Sequence, residues 1–229
     1  GENNYMKIVS LLPSSTEIVC KFGFREQLVG VSHECDYPVS VKNLPILTKP
    51  RFSPVESSHE IDNSVQNLLK KGLSVYEVNI DLLKELAPDL IITQAQCEAC
   101  AVSLNDVKEA VSDWVGNKPD IVSLEPNYLD EVWSDFEKVG KKLNNSESYF
   151  KFKSEIEQRL DHLRHNSQKQ SKKPSVICVE WIDPLMIAAN WVPELVDIAG
   201  GINLLSKPGS HSHIFKWEEI IESNPDFII

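Results

Sequence analysis

Cys97 and Cys100 lie in TQAQCEAC, residues 93–100, directly behind the apolar run Leu90-Ile91-Ile92. Two thiols at C-x-x-C spacing can clamp zinc, cycle as a redox dithiol, or fill a polar loop that faces a ligand. A structural zinc site needs a second ligand pair at similar spacing, and the chain has none. His33 and Cys35 in SHECDY complete a set only if two distant loops converge. A redox dithiol opens a helix behind a strand, which fits this position, yet Gln94-Ala95-Gln96 lacks the aromatic and proline residues of such a motif. The third reading has Gln94 and Gln96 facing a ligand, with the thiols as small fillers.

His211 and His213 alternate around Ser212 in PGSHSH. In an extended segment both rings share a face, where they can coordinate a metal or grip a ligand's rim. As members of a Gly-Ser loop they are equally ordinary surface groups. Trp181 and Trp191 bracket WIDPLMIAANW, with Asp183 and Asn190 between them. Aromatic rings beyond a strand's end can wall a large flat ligand.

The elements that must position these residues alternate. Lys7–Leu11 reads as an apolar strand, and Leu28–Val31 as a second. Ser14 and Glu17 have capping-box spacing, which places a helix from about Thr16 to Phe22. An amphipathic helix over 60–71, a strand over 74–78, a helix over 81–86 and the strand Asp89–Thr93 follow. A helix over 104–115 and a strand over 120–124 close this half. Apolar strands separated by helices predict a parallel sheet covered on both faces. Residues 128–168 carry helical periodicity only, as two helices or one long bent one, with Asn144-Asn145-Ser146 interrupting. A second α/β unit begins at 175–180, read as one strand containing Cys178; Cys178 and Cys20 are read as core residues.

DLLKELAPDLII (81–92) and EEIIESNPDFII (218–229) share an acid, an apolar helix face, Pro-Asp and an apolar strand. That echo predicts two related lobes flanking the helical segment. Ile229 falls inside the second strand, so the second lobe is expected to continue past it. In parallel α/β sheets ligands bind beyond the carboxyl ends of the strands. The candidate loops are therefore LPSST with Pro13 and Ser14, SHECDY with Glu34, Cys35 and Tyr37, TQAQCEAC, EPNY, and EWIDPL, with PGSHSH beside them. None is a glycine-rich phosphate cradle, and H-E-x-x-H is absent, so nucleotide and zinc-protease chemistry are disfavoured.

Bulk properties narrow the partners. The 229 residues carry a formal charge of −11, which disfavours nucleic acid and anionic lipid surfaces. No apolar stretch is long enough to span a bilayer. Gly1-Glu2-Asn3-Asn4-Tyr5 is polar and shows no signal-peptide pattern; five cysteines, an odd number, fit a reducing compartment.

IVSLLPSSTEIVCKFGF, LVGVSHECDYP, LLKELAPDLIITQAQCEACAVS, EWIDPLMIAANWVPELVDIAGGINLL and WEEIIESNPDFII, in this order, resemble the cobalamin-binding proteins of ABC importers. These belong to the helical-backbone substrate-binding proteins for cobalamin, haem and iron–siderophore complexes. The resemblance implies an α/β fold of two Rossmann-like lobes with parallel sheets: residues 1–125, a stiff interlobe helix at 126–145, and residues 146–229, incomplete. It implies a corrinoid held in a cleft between lobes, without catalysis and with no cofactor. Tyr37, Trp181 and Trp191 would wall the corrin, and Glu34, Gln94, Gln96 and Asn190 would bond its edge. Pro13, Ser14, Cys35, Cys97 and Asp183 lie in the same loops, and His211 or His213 would approach cobalt. Asp81 and Glu218 would dock onto arginines of the permease. The implied state is a monomer outside the cytoplasm; a start at Met6 would make it cytoplasmic. The alternatives are haem or a ferric siderophore on the same fold, Arg51 being the only arginine near these loops, or an intracellular metal- or thiol-dependent protein using Cys35, Cys97 and Cys100.

Overall fold

The computed structural model describes residues 5–53, 55–71, 75–95 and 98–229, with the backbone alone for 98–103. The chain divides into two compact units. The first comprises Gly1–Val55, Asn63–Glu125 and Asp135–Ser146; the second comprises Glu56–Asp62, Pro126–Ser134 and Glu147–Ile229.

In the first unit, β1 (Ile8–Ser10) leads into α1 (Pro13–Lys21), then β2 (Leu28–Val31) and β3 (Thr48–Pro50). Helix α2 (Ser58–Lys70), β4 (Tyr76–Val78), α3 (Ile80–Leu86), β5 (Leu90–Gln94), α4 (Glu98–Ser112) and β6 (Asp120–Leu124) follow. Four strands form a parallel sheet in the order β2-β1-β5-β6. Val9, Ile91 and Ile92 are all 0% exposed, which is why these strands are apolar on both faces. Gly30 in β2 is required by sterics: a Cβ there would run into the buried Leu47 side chain. Strands β3 and β4 pair antiparallel as a separate ribbon, Thr48 opposite Val78 and Pro50 opposite Tyr76.

Two local expectations need correction. The first helix begins at Pro13, with Leu12 as its cap and no side-chain capping bond, not at Thr16 behind a Ser14–Glu17 box. Proline at the first helical position has no N–H to satisfy and already holds a helical φ. The reciprocal box forms instead at α2. There the Ser57 N–H and hydroxyl donate to Glu60 Oε2 at 2.9 and 2.7 Å, and the Glu60 N–H donates back to Ser57 Oγ at 3.3 Å. Helix α4 starts at Glu98 rather than near Leu104, so the last residues of TQAQCEAC are helical backbone, not loop.

The helical segment is two helices, α5 (Leu129–Lys142) and α6 (Ser146–Gln168), interrupted where Asn144 takes φ +54°. Helix α5 starts among second-unit residues and ends among first-unit residues. Beyond α6, the expected single strand over 175–180 is two, β7 (Ser175–Ile177) and β8 (Val179–Trp181), parting at Cys178. They are followed by β9 (Met186–Ile187), α7 (Val192–Ile198), β10 (Ile202–Asn203), β11 (His213–Ile214), α8 (Trp217–Ser223) and β12 (Phe227–Ile228). The split lets one chain serve two sheets. β7 is central in the parallel set β10-β7-β12, whereas β8 joins the antiparallel set β11-β9-β8. Ile177, Leu185, Ile187 and Ile220 form the core beneath them. Cys178 and Cys20 are only partly buried, not full core residues: Cys178 lies at the break between β7 and β8, and Cys20 in the last turn of α1.

Candidate ligand-binding site

The carboxyl ends of β1, β2 and β5 open onto a pocket lined by Leu11, Ser32, His33, Glu34, Thr48, Tyr76, Val78, Thr93 and Gln94, with about 460 Å³ of empty space open to solvent. This is where a parallel sheet exposes the strand-end loops that can be shaped for a ligand. Leu11 and Val78 give it an apolar floor. Thr48 Oγ1 accepts the His33 backbone N–H at 3.0 Å and lies 2.7 Å from His33 Nδ1. The Tyr76 ring packs on the imidazole at 5.1 Å between centroids, tilted by 59°, and its hydroxyl donates to Glu34 Oε1 at 3.1 Å. Glu34 is thereby held at the rim, and a ligand with amide or hydroxyl groups can bond both it and the Gln94 amide.

Behind this pocket lies a buried polar cluster. Thr16 Oγ1 donates to Ser10 Oγ at 2.8 Å, Ser10 and Ser15 hydroxyls bond at 2.5 Å, and Cys35 Sγ lies 3.1 Å from Thr16 Oγ1 and 3.2 Å from Ser32 Oγ. All five residues are buried, and Cys35 is only 6% exposed. The Ser15 and Thr16 hydroxyls also donate back to Leu12 O, so the start of α1 is tied to the end of β1 by side-chain hydroxyls. Pro13 is half-buried and Ser14 exposed at that helix start. Tyr37, preceding a cis proline, is 63% exposed.

Gln96 and Cys97 lie outside the described residues, as does the side chain of Cys100. Among the described residues of TQAQCEAC, Thr93 and Gln94 line the pocket. Among the described residues no group of three His, Cys, Asp or Glu side chains gathers to hold a metal ion. Burial raises the thiol pKa of Cys20, partly offset by the charge of Arg25, and raises that of Cys178, so neither is primed as a thiolate.

In the second unit the Trp181-to-Trp191 segment forms the β8–β9 hairpin and the entry to α7. The half-buried Trp181 donates its indole N–H to the Asp183 carbonyl at 3.0 Å, which folds the ring over its own turn. The exposed Asp183 carboxylate is 3.4 Å from His59 Nδ1. Asn190 sits in the left-handed region at φ +53°, its N–H donating to Ser210 O at 2.8 Å and its carbonyl accepting from Gly209 at 3.0 Å. Its side-chain amide reaches Asn127 Oδ1 at 3.4 Å. Gly209, at φ +78°, leaves the space that the Tyr128 ring occupies, so a Cβ there would collide with the ring. Together these pin the PGSHSH loop, from which His211 and His213 project, both exposed. Trp191, half-buried, caps α7, whose Glu194 accepts the Leu129 N–H at 2.8 Å.

Asp81 and Glu218 are exposed second residues of α3 and α8. Sequence reasoning missed Thr48, Tyr76, Tyr128 and Glu194. Thr48 lies in a three-residue strand too short to show a period; Tyr76 falls inside the strand expected over 74–78, but its pairing with β3 beside SHECDY is a long-range contact that carries no local signal.

A model of the periplasmic binding protein family matches residues 8–229, and the chain belongs to that family. It is 20% identical over 226 residues to the vitamin B12-binding protein of Pectobacterium carotovorum subsp. carotovorum, covering 97% of this chain and 70% of that one. Among solved structures it resembles the periplasmic vitamin B12-binding protein BtuF of Vibrio cholerae, with a TM-score of 0.68 and 22% identity, covering 97% of this chain and 74% of BtuF. It also resembles the periplasmic haem-binding protein HutB of Vibrio cholerae, with a TM-score of 0.70 and 17% identity, covering 98% of this chain and 76% of HutB. These likenesses establish the two-unit α/β fold. No helix of the described residues is long and apolar enough to cross a membrane.

Proposed function

We propose that this chain captures a corrinoid reversibly, without chemistry on it, and hands it to an ABC permease. The observation that carries this reading is the first-unit pocket, where an apolar floor is rimmed by Glu34, Gln94, His33 and Tyr76, with no lysine or arginine among its described lining residues. A corrin presents a wide apolar face fringed by neutral amides, which need hydrogen-bonding partners rather than cations. The aromatic Tyr37 of the same unit supplies further area for its face. The likeness to two vitamin B12-binding proteins supports this choice of ligand. Asp81 and Glu218, at matching positions of matching helices, suit two basic sites on a permease. The protein works as a monomer outside the cytoplasm.

Haem is the second reading, favoured by the likeness to HutB. Calorimetric titration with cyanocobalamin and, separately, with haemin tests both. Saturable one-to-one binding of cyanocobalamin at micromolar or tighter affinity is expected. Binding of haemin alone moves the assignment to haem, and binding of neither by folded protein overturns the capture reading.

A further inference from the structure

We infer that His33 supplies the imidazole that meets the metal of the captured ligand, and that it does so through Nε2. The inference rests on the capture of a metal-centred macrocycle proposed above and goes beyond it by choosing among the histidines. All six are among the described residues. His59, His162, His165, His211 and His213 are exposed, whereas His33 is half-buried and lines a cavity.

Its surroundings are those of a ligating imidazole. A metal-binding histidine commonly donates its other ring N–H to an oxygen that fixes the tautomer and the ring's orientation. Thr48 Oγ1 stands 2.7 Å from Nδ1, and the same oxygen accepts the His33 backbone N–H at 3.0 Å. Ring and backbone are thus clamped to one atom, whose two lone pairs serve both donors in the tautomer that carries its proton on Nδ1. With Nδ1–H donating to Thr48, the lone pair is on Nε2, which has no hydrogen-bond partner among the described residues. The Tyr76 ring at 5.1 Å closes one side of the imidazole, and its hydroxyl is turned to Glu34. The ring is therefore ordered before the ligand arrives, and little rotamer entropy is lost on binding. Cobalt or iron at the centre of a macrocycle accepts an imidazole nitrogen as an axial ligand. His211, in a loop, and His213, in β11 opposite Ile187, are exposed and show no such ring contact among the described residues.

Diaquocobinamide, a corrinoid with exchangeable water at both axial positions, is the probe. Calorimetry reads binding, and the visible absorbance of the same samples reads axial ligation. Wild-type protein is expected to bind it and to shift the corrin bands as nitrogen replaces water. His33→Ala and His33→Gln, checked for folding by circular dichroism, are expected to bind and to leave the bands unshifted. Thr48→Val is expected to keep the shift and weaken binding about tenfold, as loss of an orienting partner does. A His211→Ala/His213→Ala double variant is expected to retain the shift. A shift that persists in both His33 variants, or vanishes in the double variant, overturns the inference and leaves capture standing. So does wild-type binding with unshifted bands. Failure of folded wild-type protein to bind cobinamide, cyanocobalamin or haemin removes the capture reading and this inference with it.

Discussion

In the first unit, α3 hands over to β5 through Ala87-Pro88-Asp89; in the second, α8 hands over to β12 through Asn224-Pro225-Asp226. Both helices are seven residues long, both carry an acid at their second position, and both end in a left-handed residue, Ala87 at φ 46° and Asn224 at φ 45°. In each the aspartate then bonds the neighbouring strand: Asp89 Oδ2 accepts the Lys7 N–H at 2.8 Å, and Asp226 Oδ2 accepts the Ser175 N–H at 2.8 Å. The two strands themselves differ. β5 runs between β1 and β6 with Ile91 at 0% exposure, whereas β12 is the edge of its sheet with Ile228 at 52%. A junction is thus specified by a few local bonds, while the burial of the strand behind it is set by the neighbours the sheet supplies.

That difference is measurable as stability. Ile91→Ala should cost about 3 kcal/mol, the sum of lost transfer energy and an uncollapsed cavity. Ile228→Ala, at an exposed edge, should cost less than about 1 kcal/mol. Urea titrations of both variants check this, and equal costs would mean that the β12 face is covered in solution. The two left-handed positions should also separate. Alanine is strained there, so Ala87→Gly should stabilise by about 0.5–1 kcal/mol even after its entropic penalty in the unfolded chain. Asparagine tolerates this region, so Asn224→Gly should be within about 0.3 kcal/mol of neutral.

The duplicated junction was legible because its signals are local: acid, apolar face, proline, aspartate, apolar run. The parallel sheet of the first unit was legible for a related reason, since strands covered on both faces are continuously apolar. The features that escaped were decided by competition between local signals. S-x-x-E stands near the starts of α1 (Ser14–Glu17) and α2 (Ser57–Glu60), and of these two only the second forms a box, because Pro13 already starts the first helix. The break at Cys178 escaped too, as an apolar run does not announce that it changes sheets. In the site, Glu34 and Gln94 were readable as polar residues behind strands. Thr48 and Tyr76 join them through the β3–β4 ribbon: the strand of Tyr76 was expected, but the three-residue β3 has no detectable period and its pairing with β4 is not a local property.

The paired acids test whether the echo extends to function. Asp81→Lys and Glu218→Lys each place a cation where the helix dipole favours an anion, so each should cost about 0.5 kcal/mol of stability. Neither residue lines the His33 pocket, so ligand affinity should stay at the wild-type value in calorimetry. Ligand delivery to a reconstituted permease should fall in both. A fall in one alone would show that the two units share a junction and not a docking role.

The smallest effect concerns the aspartates themselves. Hydrogen bonds from the Ser175 N–H and hydroxyl hold the Asp226 carboxyl below the ordinary aspartate range. These bonds favour the ionised form, and the unfolded chain offers no counterpart. With the folded pKa depressed, the contribution is complete above the unfolded pKa of about 4 and is lost as pH falls through the folded value. Asp226→Asn keeps an oxygen acceptor but cannot ionise. Its melting temperature should therefore lie slightly below wild type at pH 7, and the two curves should converge in strong acid. Ser175→Ala, which removes the hydroxyl and leaves the backbone donor, should close only part of that gap. A gap independent of pH would mean that the carboxylate acts at this junction through its shape and not through its charge.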